Sequence, residues 1–180
     1  MKLVFKLILM LSAGVLMASI AWAESPSALK DGELPFPTGY KAWPKFLSAV
    51  QRPDAKQVRE IYVNLAGTSA TAAGGFPNGT MFVMENYAAQ TSADGTLKTD
   101  AEGKLVKGDL LRVFVMGKDA GWGMDVPKEQ QTGNWIYAAY QPDGQKAPDD
   151  LGKCRACHLA MPTKDFVHRY DEYFNQFKTP

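Results

Sequence analysis

Cys154, Cys157 and His158 stand as C-x-x-C-H within residues 150–159. Two thiols at this spacing, followed at once by an imidazole, are the pattern of c-type haem attachment. Each thiol can add across one haem vinyl group. The imidazole then falls under the iron as a proximal ligand and leaves the iron's chemistry to the opposite pocket. The reading is one covalently attached haem c, held by Cys154 and Cys157, with His158 on the iron. Two other chemistries use the same letters. C-x-x-C is a dithiol redox pattern, but that normally sits early in a chain, after a strand of a βαβ unit. It is also half of a zinc site, which needs four protein ligands when structural. These are the only two cysteines, and the only other histidine is His168. A plain disulfide also stays open.

The sixth iron position is less legible. His168 lies past Pro162 and reads as a helix-surface or interface histidine. Methionine ligates iron in ordinary cytochromes c, yet Met81, Met84, Met116, Met124 and Met161 each suit core filling as well. Arg59 alternates with Ile61 and Val63 on an otherwise apolar strand face. A guanidinium there needs a partner, which a haem propionate, a distal ligand or a neighbouring Glu60 or Glu85 can supply. Phe82 and Met84 share one face of the next strand. Glu85 points the other way unless a bulge turns it inward.

The elements that position these residues begin with an export signal. Lys2 and Lys6 precede an apolar run from Leu7 to Ile20 that ends in Ala21-Trp22-Ala23. Residues 1–23 read as a secretory signal peptide, with the mature chain starting near Glu24. A periplasmic location is expected, which agrees with haem c maturation outside the bacterial cytoplasm. No lipobox cysteine and no second long apolar run occur, so no membrane attachment is expected after cleavage. The formal charge of the full chain is +1; loss of Lys2 and Lys6 makes it −1. That near balance argues against nucleic acid as a partner.

Residues 24–37, with Pro26, Pro35 and Pro37, read as an irregular lead-in. Thr38 to Val50 reads as a helix, with Tyr40, Trp43, Phe46, Leu47 and Val50 near helical spacing. Strands are expected at 57–65, 80–87, 109–116 and 134–140. Between them lie a flexible loop at 66–75, a Pro77-Asn78-Gly79 turn, a polar hairpin excursion at 90–104 and the turn Gly121-Trp122-Gly123. A short helix should carry the cysteines and stop at Pro162. Lys164 to Phe177 reads as an amphipathic terminal helix through Phe166, Val167, Tyr170, Phe174 and Phe177. Strands followed by helices indicate an α+β fold: a mainly antiparallel sheet, flanking helices and a C-terminal haem-binding helix. Residues 38–180 form the expected monohaem domain.

The stretches Val58–Asn64, Phe76–Thr80, Lys118-Asp119 followed by Gly121-Trp122-Gly123, and Cys154–His158 resemble, in this order, the cytochrome P460 family with its cytochrome c′-β relatives. The resemblance implies a β-rich monohaem domain, usually a homodimer, with a five-coordinate iron and an open distal face. Family members oxidise hydroxylamine or bind nitric oxide and related small ligands, and a redox partner protein is implied. Arg59 matches an arginine lining the family's pocket. Where the resemblance predicts a lysine that cross-links to the haem, in a pattern like Gly-Thr-x-x-Val-Lys-Glu, this chain reads Gly79-Thr80-Met81-Phe82-Val83-Met84-Glu85. Met84 has no amine. The expectation is a five-coordinate ligand binder without the cross-link. The alternatives are a six-coordinate electron carrier and a hydroxylamine or nitric oxide oxidoreductase. Arg59, Phe82, Met84 and Glu85 are the distal candidates.

Overall fold

Alternating apolar residues build the middle of a sheet, as the sequence pattern predicts. In the computed structural model, which describes residues 28–177, β2 (Gln57–Val63) and β3 (Met81–Ala89) pair antiparallel, with Arg59 opposite Asn86 and Ile61 opposite Met84. With β1 (Lys45–Arg52), β4 (Lys107–Lys118) and β5 (Trp135–Tyr140), they form a five-stranded antiparallel sheet in the order β1-β2-β3-β4-β5. Three α-helices among the described residues accompany it: α1 (Leu65–Thr68), α2 (Leu151–His158) and α3 (Tyr170–Phe177). The architecture is α+β with a C-terminal helix, as the element order implies. The signal-peptide reading of residues 1–23 lies outside the described residues. Among those described, no helix is long and apolar enough to cross a membrane.

The sheet is buried on both faces. One face carries Phe46, Val63, Phe82, Met116, Trp135 and Tyr137, packed against Val167 and the α3 residues Tyr170, Tyr173 and Phe174, with Leu151 and Cys154 of α2 alongside. The other face carries Tyr62, Val83, Val113, Val115 and Ile136 beneath Leu34, Tyr40 and Phe36 of the N-terminal segment. Residues 28–37 of the lead-in therefore help to cover the sheet.

Three expectations need correction. The helix expected from Thr38 to Val50 is a 3₁₀ turn at Tyr40–Ala42 followed by β1. Pro44 drives Trp43 into extended backbone (ψ 153°) and so blocks a helix there. Two register shifts then break strand alternation, so that Phe46, Leu47 and Val50 are all buried. A bulged strand thus mimics helical spacing. The second strand stops at Val63 rather than Leu65, because the Asn64 side chain accepts from Gly67 N (3.1 Å) and caps α1 inside the expected loop. The terminal helix begins at Tyr170, not Lys164; Asp165, Phe166 and Arg169 are left-handed, at φ 50°, 57° and 59°.

Candidate functional site

The Cys154–His158 stretch lies on α2, as expected. Asp150 caps that helix by accepting from Gly152 N (3.0 Å). What seats α2 against the sheet is Arg155, one of the two residues between the cysteines. It is 2% exposed and donates through Nε and Nη2 to Asp31 at 2.5 and 3.1 Å. Asp31 in turn accepts from Tyr137 N on β5 (2.9 Å). Gly123 closes over the same guanidinium. At φ +68°, a Cβ there would stand 2.7 Å from Trp135 O and 3.1 Å from Arg155 Nη2, so only glycine suits this turn. Sequence reading missed both Asp31 and Arg155, since a lone acid in a proline-rich lead-in carries no pattern.

Between α2 and the sheet lies a cavity of about 490 Å³. This falls within the roughly 300–1,000 Å³ of cofactor and ligand pockets. Cys154, Cys157 and His158 line one side; Phe82, Met84, Ile61 and Phe114 line the sheet side. Arg59 and Asn86 add a polar row across β2 and β3. Of the four distal candidates, the structure brings Arg59, Phe82 and Met84 to the cavity and leaves Glu85 out. The pairing of β3 is regular through Glu85, and its register shifts fall only after Asn86. Glu85 therefore faces the other layer, 1% exposed, where it accepts from Tyr40 (2.6 Å), Tyr87 (2.8 Å) and Tyr62 (3.1 Å). Arg59 likewise makes no pair with a glutamate. Glu60 lies on the opposite face with Lys45 and Lys107, and among the described residues Arg59 hydrogen-bonds the Gln57 side chain, at 3.4 Å.

Burial shifts the thiol and the imidazole on this side in opposite directions. Burial, followed by the charges of Asp31 and Asp149, pushes the Cys154 thiol up to about 11. Burial lowers the His158 imidazole to about 4, so the ring is neutral. Its Nδ1 lies 2.6 Å from Phe166 O. A carbonyl can only accept, so Nδ1 carries the proton and Nε2 the free lone pair. His168 is not on a helix surface. It lines the cavity, its ring centre 5.0 Å from that of His158 and its Nε2 3.3 Å from Cys157 Sγ.

Two buried polar atoms have no hydrogen-bond partner among the described residues: Arg59 Nε and Asn86 Oδ1. Both residues border the cavity, which is where such atoms are expected to meet a bound group. Among the described residues, no cluster of three or more His, Cys, Asp or Glu could hold a bare metal ion, and both thiols are free. Two thiols, a neutral imidazole whose proton is committed at Nδ1, and a cavity whose lining includes two residues with unpartnered polar atoms fit a haem of the c type. A family model described as Cytochrome P460 matches residues 37–169 of the chain. No curated protein matches it.

Proposed function

From the premise that this chain belongs to the cytochrome P460 family and is therefore a haem cytochrome, we propose a periplasmic monohaem protein that binds nitric oxide or a similar small ligand. Cys154 and Cys157 would hold the haem by thioether bonds, and His158 would supply the proximal nitrogen. A bound haem would supply an iron able to take a small ligand.

The observation that carries this reading is the His158 tautomer. Its Nδ1–H is committed to Phe166 O, which leaves Nε2 as the free lone pair, and the residue lines the same cavity as both cysteines. The rest of the chain shapes the ligand's surroundings. Phe82 and Met84 keep the wall apolar and limit water. Arg59 Nε offers one hydrogen bond to an electronegative ligand atom. Met84 provides no amine for a further link to the haem, which favours ligand binding over hydroxylamine oxidation. A homodimer and a separate redox protein are the proposed partners.

Acid–acetone extraction and carbon monoxide spectra test the proposal. The haem should stay with the protein in acid–acetone, and the reduced protein should bind carbon monoxide at once. Complete extraction would remove the covalent attachment, and a reduced six-coordinate spectrum unmoved by carbon monoxide would favour the electron carrier. Light scattering of the haem-loaded protein tests the dimer.

A further inference from the structure

The left-handed segment after α2 makes a contact with His158 that α2 cannot make for itself. Asp165 and Phe166 are consecutive residues at φ 50° and 57°, a conformation that side chains bearing a Cβ rarely adopt, bulky ones least. Backbone of this kind persists only where the surroundings over-determine it. Here they do, from three separate elements. Lys118 Nζ, at the end of β4, donates to Asp165 Oδ1 and Oδ2 at 2.9 and 2.8 Å and to Phe76 O at 2.7 Å. Phe76 N, in the loop before β3, donates to Asp165 Oδ2 at 2.8 Å. Trp135 Nε1, at the start of β5, donates to Asp165 O at 2.8 Å. The ion pair is largely buried, its side chains 16% and 19% exposed. Gly75 approaches so closely that a Cβ would stand 3.0 Å from Asp165 Oδ2.

The consequence falls on the next residue. With Asp165 fixed to the sheet, the carbonyl of Phe166 is held 2.6 Å from His158 Nδ1, at the short end for an N–H···O bond. We propose that Lys118 and Asp165 are positioning residues for His158: by fixing the Phe166 carbonyl on Nδ1, they set the orientation and the electron-donating strength of the imidazole toward the iron. This rests on the reading of His158 as the proximal ligand. The other ring nitrogen of a ligating histidine, donating to a carbonyl, fixes the tautomer and raises the basicity of the metal-bound nitrogen. A more basic ligand favours ferric over ferrous iron, so the pair should hold the reduction potential down.

The test uses the haem-loaded protein with Lys118→Met and, independently, Asp165→Asn. Lys118→Arg serves as the conservative variant. Two readouts are taken: the iron–histidine stretching band of the reduced protein by resonance Raman, and the midpoint potential by redox titration. In both disruptive variants the band should move to lower frequency and the potential should rise, and Lys118→Arg should lie closer to wild type. Full haem loading with band and potential unmoved in either variant would overturn the proposal and leave the pair a purely structural role. So would a Lys118→Arg protein no closer to wild type than Lys118→Met. A wild-type protein whose reduced haem is five-coordinate yet shows no iron–histidine band would instead overturn the assignment of His158 itself, and a six-coordinate reduced haem would overturn the open sixth position, which keeps the failures apart.

Discussion

Arg59 on β2 and Asn86 on β3 are register partners on neighbouring strands; both residues line the cavity, and each has one buried atom without a partner among the described residues, Nε of one and Oδ1 of the other. Leaving a buried polar atom unsatisfied costs about 1–3 kcal/mol. Both costs fall when a ligand or haem substituent completes the bonds. Asn86 also faces Arg112 on β4, whose Nε is already taken by Asp149 at 3.0 Å. The polar row thus holds one donor and one acceptor without a partner among the described residues, next to the apolar row of Ile61, Met84 and Phe114.

Replacing the donor should separate ligands by polarity. Arg59→Met should weaken binding of a hydrogen-bonding ligand such as cyanide by roughly 3- to 10-fold, the equivalent of about 0.5–1.5 kcal/mol for one hydrogen bond. Carbon monoxide, a poor acceptor, should change less. Spectroscopic titration of the two ligands against the same protein checks the ratio. Equal losses for both would point to a reshaped cavity rather than a lost bond.

The seat of the haem helix should be costly to disturb. Arg155→Met leaves Asp31 without its cation, and breaking a buried ion pair in this way costs about 3–5 kcal/mol. Asp31 keeps a fifth of its side chain exposed, so the low end of that range is expected. Chemical denaturation should show a lower midpoint. Because Asp31 also ties β5 to the N-terminal cover, Asp31→Asn should lower it too.

How much of this was legible follows from where each signal resides. Cys154, Cys157 and His158 are contiguous, and their chemistry is written in their spacing. The alternation of Arg59, Ile61 and Val63, and of Phe82, Met84 and Asn86, gave the correct faces because β2 and β3 pair without a shift over those residues. β1 was misread as a helix because its two bulges bury residues one and three apart. The segment 164–169 was misread because its apolar spacing is genuine. Tertiary bonds from Lys118, Phe76 and Trp135 hold Asp165 away from helical backbone, and all three donors lie at least 30 residues away in sequence. Asp31 and Arg155 were invisible for the same reason: their pairing spans 124 positions.

Glu85 gives a pH-dependent prediction. Burial alone would raise its carboxyl. The hydrogen bonds of Tyr40, Tyr87 and Tyr62 and the charge of Lys41 outweigh that and hold it below the ordinary carboxylate value. A depressed folded-state value contributes stability that is fully present above the ordinary carboxylate range and is lost as pH falls through the folded value. Glu85→Gln should therefore be less stable than wild type at neutral pH, by about 1–3 kcal/mol for a buried charged acceptor. The gap should close in acid. Thermal melts of both proteins between neutral pH and pH ~3 read the convergence, and a gap that is independent of pH would exclude the charge as its source.

Met84 makes the sharpest prediction about the haem itself. It lines the cavity from the middle of β3, opposite Ile61 on one side and Phe114 on the other. Its register fixes the side chain on the cavity face, with Glu85 directed away. A thioether cannot form an amine link, and no lysine lies between Arg59 and Lys98. Lys98 belongs to the polar excursion, where its backbone N–H bonds Gln90 O at 2.9 Å. The haem should accordingly carry two protein bonds, those from Cys154 and Cys157, and show the spectrum of an ordinary high-spin haem c. Hydroxylamine turnover should be slow or absent. Digestion followed by mass spectrometry decides the matter directly. The haem should travel with the peptide bearing residues 154–158 alone, whereas a second peptide from residues 79–98 joined to it would restore the oxidase reading.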